Sequence, residues 1–144
     1  YTNSVPSVNT EGASPFRIEG SEEDHLVVRY FADYDQVEAM GFSLLDGRYF
    51  SRDFPADTAS IVINEALMNE LGWKEAVGKD LYGFNRGGRV PYRIIGVVKD
   101  FHFETLRNNV RPIAMFLNTG NANYLTVRIN GNPQEAVVAV ENLW

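Results

Sequence analysis

Cysteine is absent from the 144-residue sequence, and histidine occurs only at His25 and His102. Without cysteine the chain can form no disulfide, no thiolate metal site and no cysteine nucleophile. The absence does not fix the compartment, because an oxidising compartment permits disulfides without requiring them. Serines occur in ordinary contexts, and none stands in a Gly-x-Ser-x-Gly elbow, so the sequence does not indicate a Ser–His–Asp triad.

Long apolar runs and an excess of basic residues are also lacking. No run approaches the roughly 18 apolar residues that a membrane-spanning helix needs, and the polar opening stretch does not resemble a secretion signal. Thirteen Lys and Arg against nineteen Asp and Glu give a formal net charge of −6. Nucleic-acid-binding proteins normally carry a basic patch or stripe, so we predict no nucleic-acid partner. We expect an excerpt of a longer protein, cut at both ends.

The sequence has enough apolar residues, 44% of the chain, to bury a core of ordinary size. Residues 1–15 are rich in Ser, Thr, Asn, Pro and Gly, and we predict a flexible loop there. Residues 16–144 then form the folded part, as one domain or as two small lobes.

Periodicity and turn residues predict the order of the elements. We expect strands over 16–19, 25–31, 42–45, 60–63, 81–84, 92–98, 113–117 and 124–129. We expect helices over 36–40, 65–71 and 133–144, with Asp35 and Asn132 as N-caps of the first and last. Residues 85–88 form a hairpin tip rather than a phosphate-binding loop. This order predicts an α+β fold with a mixed, mostly antiparallel sheet and a few short helices.

The middle helix has the clearest boundary signals. Asn64 is a good N-cap, and Glu65 lies in the first turn, where the helix dipole favours an acidic residue. Gly72 closes the helix. Trp73 and Val77 are expected to pack over its end.

The chain is organised around the stretch from Tyr92 to Phe103. Residues 94–98 are almost all apolar and predict a strand buried on both faces. Beyond Val98 the polarity alternates, and a strand would place Asp100, His102 and Glu104 on one face. These side chains could hold a divalent cation, although the pattern is loose and no fourth ligand is evident. The structural alternative is that Phe101 and Phe103 anchor the segment while Asp100 and His102 fix the following loop. If its ring is fully buried, replacing Phe101 with Ala would reduce the free energy of unfolding by roughly 3–5 kcal/mol.

Three aromatic residues lie in a predicted loop, namely Tyr49, Phe50 and Phe54. They could form an exposed patch for a partner. Packing on the sheet as loop anchors is the favoured interpretation, because most aromatic side chains are buried.

Several segments, taken in order, resemble a known family. They are Tyr34-Asp35, Met40–Phe42, Leu45–Phe54, Ile63–Ala66, Leu71–Trp73, Val77–Lys79, Ile95–Phe103 and Arg111-Pro112. Together they resemble the MacB-like periplasmic core domain of ABC-transporter permeases, of the FtsX-like, macrolide-exporter and lipoprotein-release type. The Lys-Asp-Phe-His-Phe variant at 99–103 is most similar to the Bacteroidetes-type permeases. The resemblance covers roughly residues 16–144.

The residues of these motifs make sense as folding devices. Gly47 lets the chain turn, and Arg48 can pair with a carboxylate or cap carbonyl groups. Gly96 permits close backbone approach within a strand, and Pro112 precedes the strand at 113–117. We therefore expect structural roles for these positions, and no catalytic, cofactor-binding or metal-binding residues.

The resemblance implies a domain on the periplasmic side of the inner membrane, between the first two of four transmembrane helices. It implies no enzymatic activity and no cofactor. The implied partners are a second permease subunit, a cytoplasmic ATPase, and a periplasmic adaptor or lipoprotein. The implied function is coupling of ATP hydrolysis to export or lipoprotein release through protein contacts. The alternative is a stand-alone ligand- or metal-binding module that uses the Asp100, His102 and Glu104 face.

Overall fold

The computed structural model describes residues 12–101, 110–118, 120 and 126–142. These residues form one mixed sheet with short helices, which confirms the α+β prediction. The strands are β1 Ala13–Ile18, β2 His25–Ala32, β3 Leu44–Gly47, β4 Ser60–Asn64, β5 Asp80–Asn85, β6 Gly88–Val98 and β7 Ile113–Leu117. The helices are α1 Gln36–Ala39, α2 Glu65–Glu70 and α3 Pro133–Glu141, with a 3₁₀ turn at Pro55–Ala59.

The sheet closes on itself. Its order is β3-β6-β4-β7-β2-β1-β5, and β5 pairs again with β6. One edge of β6 pairs first with β5 and then with β3, while the other edge pairs with β4. The pairings β2–β7 and β4–β6 are parallel, and the other five are antiparallel. The predicted, mostly antiparallel pairing is therefore confirmed, and β6 is the central strand.

The second half of β6 is buried, as predicted, with only Ile95 partly accessible. The strand ends at Val98, where Asn64 and Leu44 are its last ladder partners. β6 ends at Val98, as predicted, and Lys99 to Phe101 are not in a strand. None of the described strands pairs beyond Val98, although the N–H of Lys99 still donates to the carbonyl of Ser43 at 2.8 Å. His102, Phe103 and Glu104 lie outside the described residues.

Two apolar clusters cover the sheet, in accordance with the alternation of side chains along its strands. The first contains Leu67 and Leu71 from the region of α2, packed on Ile61, Ile63 and the strand residues around them. The second contains Val37 from α1, together with alternate strand residues such as Val28, Tyr30, Val62, Val98 and Met115. α1 and α2 therefore each cover one of the two apolar clusters of the sheet.

The start of α1 differs from the prediction. Asp35 occupies the N-cap position, but its side chain makes no capping hydrogen bond. The Oδ1 atom of Asp33 instead accepts hydrogen bonds from the backbone N–H groups of Asp35 and Gln36, at 3.1 and 2.9 Å. The carboxylate of Asp35 is held by the guanidinium of Arg52 at 3.0 and 2.8 Å, and this ion pair explains why it does not cap the helix.

Two predicted strands also differ. β3 begins at Leu44 rather than at residue 42 and continues past the predicted end at residue 45 to Gly47, where the chain was expected to turn. Its extension follows from ladder pairing with β6. Residues 126–129 form no strand in spite of their alternation, because none of the described strands pairs with them. Residues 124–125 lie outside the described residues.

The remaining elements agree with the sequence analysis within a few residues. β1 begins at Ala13, three residues before the predicted strand at 16–19. α3 has Asn132 as its N-cap, whose side chain accepts a hydrogen bond from the N–H of Gln134 at 3.0 Å. It ends at Glu141, and residues 143–144 lie outside the described residues.

Candidate functional site

The residues singled out by sequence lie at two polar junctions near the end of β6. The first is centred on Asn64, whose side chain is fully buried. Its Oδ1 accepts hydrogen bonds from the N–H groups of Leu67 at 3.1 Å and Ile113 at 2.9 Å. Its Nδ2 donates to the carbonyl of Arg111 at 2.9 Å. A single side chain thus caps α2, as predicted, and also holds the start of β7 beside β4.

Asp100 adds a second contact to the same helix start. Its Oδ1 accepts a hydrogen bond from the N–H of Ala66 at 2.8 Å. Asp100 was predicted to fix the loop that follows it, whereas in the structure it is bound to the first turn of α2. Glu65 is partly buried in that turn, and the carbonyl of Pro112 accepts from the N–H of Val28 at 2.9 Å. The exit of β6, the start of α2 and the entry to β7 therefore form one connected unit.

The far end of α2 is closed by Gly72, which has φ +68°. The N–H of Gly72 donates to the carbonyl of Asn69, and the N–H of Trp73 donates to that of Met68. Trp73 packs against the first apolar cluster, and Lys79 lies 5.4 Å from the centre of its ring. Val77, expected beside Trp73, is 38% exposed and lies close to Gly47 instead.

The second junction is a close approach of β3 and β6. Gly47 has φ +74°, and a Cβ there would collide with the carbonyl oxygen of Ile95. Gly47 faces Gly96 in the ladder, and a Cβ on Gly96 would collide with the carbonyl oxygen of Arg48. The N–H of Arg48 donates to the Ile95 carbonyl at 2.9 Å. Only glycine at both positions allows the two backbones to lie this close.

The side chain of Arg48 continues from this junction to a buried carboxylate. Its two terminal nitrogens donate to the two oxygens of Asp57, each at 2.7 Å, and one also donates to the carbonyl of Tyr49 at 3.0 Å. Asp57 is 1% exposed and also accepts from the N–H of Ser51 at 2.9 Å. The guanidinium lies 4.0 Å from the ring centre of Phe54. Arg48 thus both pairs with a carboxylate and caps a carbonyl, the two roles weighed from sequence.

The ionisation of Asp57 follows from these contacts. Burial raises the pKa of Asp57, but the hydrogen bonds from Arg48 and Ser51 and the charge of Arg48 outweigh it, so the pKa lies below its usual range. Asp57 correspondingly raises the pKa of Arg48. The pair is charged at neutral pH and serves to order the loop between β3 and β4.

Nothing in the sequence around Asp57 marks it as the partner of Arg48. Its neighbours in the chain are ordinary loop residues, and its partner is nine positions away. The one sequence feature that could have pointed to this ion pair was an acidic residue in the loop that follows Arg48. Acidic residues are common in loops, so the feature is not specific.

The aromatic loop residues are mostly anchors. Phe50 is buried and Tyr49 partly buried. Phe54 is 48% exposed, but one face of its ring is covered by Arg48. These three residues therefore do not form a continuous exposed patch.

Phe101 is only partly buried. The loss of roughly 3–5 kcal/mol expected on replacing a fully buried ring with Ala therefore does not apply to it. Its ring stacks on Phe42 with 3.9 Å between centroids. It therefore joins the exit of β6 to the segment after α1.

Within the described residues, no group of three or more His, Asp or Glu side chains could hold a metal ion. His102 and Glu104 of the sequence-based alternative lie outside those residues. Over the same part of the chain, no helix is both long and apolar enough to cross a membrane.

The buried polar side chains of this α+β domain form hydrogen bonds with its own backbone and with its other side chains. This use of buried polar groups is typical of a structural or interaction module. The particular family is shown by comparison: residues 2–143 match the family model described as MacB-like periplasmic core domain. The chain belongs to this family of ABC-transporter permease domains. No curated protein matches it significantly.

Solved structures show the same fold. The periplasmic region of MacB from Actinobacillus actinomycetemcomitans has a TM-score of 0.60 and 17% identity, over 94% of this chain and 63% of that one. A domain of a putative permease from Porphyromonas gingivalis has a TM-score of 0.61 and 18% identity, over 98% and 71%. The extracellular domain of the noncanonic ABC-type transporter YknZ from Gram-positive bacteria has a TM-score of 0.51 and 17% identity, over 79% and 55%. The chain thus spans 63% of the MacB region that it matches.

Proposed function

We propose that this chain is a non-catalytic periplasmic domain that couples ATP hydrolysis by a cytoplasmic ATPase to export or lipoprotein release. It does so as a stiff body that moves with the permease and meets other proteins. The partners proposed with it are a second permease subunit and a periplasmic adaptor or lipoprotein. The site of action is the periplasmic face of the inner membrane.

The observation that carries this proposal is the use of the buried polar groups. Asn64 joins α2, β4 and β7, and Asp57 joins the β3–β4 loop to Arg48. Ser60 donates to the carbonyl of Ala56. Gln36 donates to the hydroxyl of Tyr30, but its own side-chain oxygen is buried without a partner among the described residues. The hydrogen-bonded groups around Asn64 and Asp57 therefore carry the argument, because satisfied buried networks make a domain rigid, and a rigid domain can transmit displacement between its ends.

Spin-label distances in the full-length permease with its ATPase test this proposal. The absence of native cysteine in the domain lets single cysteines be introduced cleanly, for example at the exposed positions Glu38 and Arg86. We expect the distance between the Arg86→Cys labels of two permease subunits to change between the nucleotide-free and ATP-bound states. The distance between labels at 38 and 86 within one domain should stay constant.

Two results would overturn the proposal. Identical intersubunit distances in both nucleotide states would show that the domain does not move with the ATPase cycle. A nucleotide-dependent change within one domain would show that it deforms instead of moving as a body. The flanking gene sequence gives an independent check, because one apolar span of about 20 residues should precede the domain and three should follow it.

A further inference from the structure

A cleft of about 260 Å³ lies between the end of α1 and the exit of β6. Its lining residues are Met40, Gly41, Phe42, Ser43, Lys99, Asp100 and Phe101. The two sides are tied together, because the N–H of Lys99 donates to the carbonyl of Ser43 at 2.8 Å and the rings of Phe42 and Phe101 stack. The cleft is thus a built feature between two neighbouring segments.

The α1 side of the cleft is fixed by hydrogen bonds from within the fold. The N–H of Phe42 donates to the carbonyl of Val37 at 3.2 Å. The carbonyl of Phe42 accepts from the hydroxyl of Tyr49, and burial raises the pKa of that hydroxyl. A wall that is already ordered costs little entropy when a ligand binds.

One cation lines this cleft and a second lies beside it. Lys99 is a lining residue, whereas Arg128 is not, but its guanidinium lies 3.6 Å from where a Cβ on the lining residue Gly41 would be. Within the part of the chain that the structure describes, neither side chain makes an ion pair, hydrogen bond or ring contact. Four other arginines pair with carboxylates, namely those at 17, 48, 52 and 93.

Among the described residues, Asp100 supplies the one carboxylate that lines the cleft. Its Oδ1 already accepts a hydrogen bond from the N–H of Ala66. The described charges of Lys99, Arg128 and Asp100 therefore sum to one net positive, on a chain whose total is −6. Unpaired cations beside aromatic and apolar surface favour a ligand that carries an anionic group next to an apolar one.

We propose that this cleft binds a carboxylate attached next to an aromatic or aliphatic side chain, as at the end of a peptide. The carboxylate contacts Lys99 and Arg128, and the apolar group packs against Met40 and the Phe42–Phe101 stack. This site is independent of the proposed coupling function, because it concerns ligand recognition by the domain itself.

NMR titration of the ¹⁵N-labelled 144-residue chain tests the site with N-acetyl-L-phenylalanine as the probe. N-acetyl-L-phenylalaninamide is the matched neutral ligand, since it differs only in the carboxylate. We expect saturable shifts at Gly41, Ser43 and Lys99, with affinity for the acid roughly three- to tenfold above that for the amide, as two partly exposed ion pairs supply. Acetyl-Gly-Gly-Phe as a third ligand should bind more tightly than the single residue if the natural source is a peptide, and equally if it is a small acid.

The variants Lys99→Gln and Arg128→Gln should each weaken binding of the acid and leave binding of the amide unchanged. Arg86→Gln is the matched control, because Arg86 is also a cation without a partner among the described residues but lies at the β5–β6 hairpin tip. The proposal is overturned if the acid gives no saturable shifts. It is equally overturned if the acid and amide bind alike, or if Arg86→Gln weakens binding as much as the cleft variants do.

Discussion

Asn64 is a single side chain that serves three backbone groups from two distant parts of the chain. Replacement by Ala removes the acceptor for Leu67 and Ile113 and the donor to Arg111. Loss of a helix cap together with unsatisfied buried groups should reduce the free energy of unfolding by about 2–4 kcal/mol. Urea denaturation measures this directly. Asn69→Ala, at an exposed position in α2, is the control and should change stability little; a similar loss in both variants would contradict the central role of Asn64.

The Arg48–Asp57 pair is a second single-residue contact, and it should make the free energy of unfolding depend on pH. The pKa of Asp57 is lower in the folded state than its ordinary value of 3.8, so its charge stabilises the fold above that value and the contribution is lost as the pH falls through the folded pKa. Asp57→Asn should cost about 2 kcal/mol at pH 7, less than for a fully buried pair because the side chain of Arg48 is 37% exposed.

Denaturation of wild type and Asp57→Asn at several pH values tests this expectation. The difference between them should be constant above about pH 5 and shrink below about pH 4. Asp35→Asn removes a bidentate ion pair with Arg52 that lies at an exposed position. It should therefore change the free energy of unfolding much less. A difference between wild type and Asp57→Asn that persists unchanged at pH 2 would show that charge is not its cause.

At the scale of elements, β3 depends on two glycines rather than on its own side chains. All four of its residues are exposed, so little apolar burial holds it to β6. A methyl group on Gly96 would collide with the Arg48 carbonyl, and the two backbones would have to separate to remove the collision.

We expect Gly96→Ala to reduce the free energy of unfolding by at least about 2 kcal/mol and to speed hydrogen exchange of the Arg48 amide. Gly12→Ala is the control, because a Cβ there meets nothing within 4 Å; protection of the Arg48 amide equal to wild type would exclude the close approach as the cause.

The loop after β6 gives a second prediction for an element. The stack of Phe101 on Phe42 is partly exposed, so Phe101→Ala should cost about 1–2 kcal/mol rather than the 3–5 of a buried ring. Thermal and urea denaturation measure the loss. Amide shifts after the substitution should concentrate at residues 41–43, which Phe101 holds in place, and shifts spread evenly over the sheet would show a different role.

For the whole molecule, the parts predicted well are those that neighbouring residues determine. Asn64 and Asn132 act as caps within three positions of their partners, and residues 85–88 form the expected hairpin tip. The ring of strands was not predictable, because it depends on pairings such as β2 with β7, more than eighty residues apart along the chain. The Arg48–Asp57 junction was missed for a similar reason, since its geometry depends on where β3 and the 3₁₀ turn come together. Alternation at 126–129 predicted a strand wrongly, because propensity alone supplies no ladder partner.

The segment from residue 126 to 142 contributes little to the core of the described structure. α3 has no buried residue, and Val137 and Val138 are more than half exposed. Val127 and Ile129 are also more than two-fifths exposed. Since stabilisation by apolar side chains scales with the area that they bury, a chain ending at residue 125 should unfold cooperatively, with a free energy of unfolding within about 1 kcal/mol of the full chain. Urea denaturation and ¹⁵N spectra of the shortened chain test this, and its sheet amides should keep their shifts except near Gly41, which Arg128 approaches. A shortened chain that loses cooperative unfolding would show that α3 belongs to the folding unit in spite of its exposed valines.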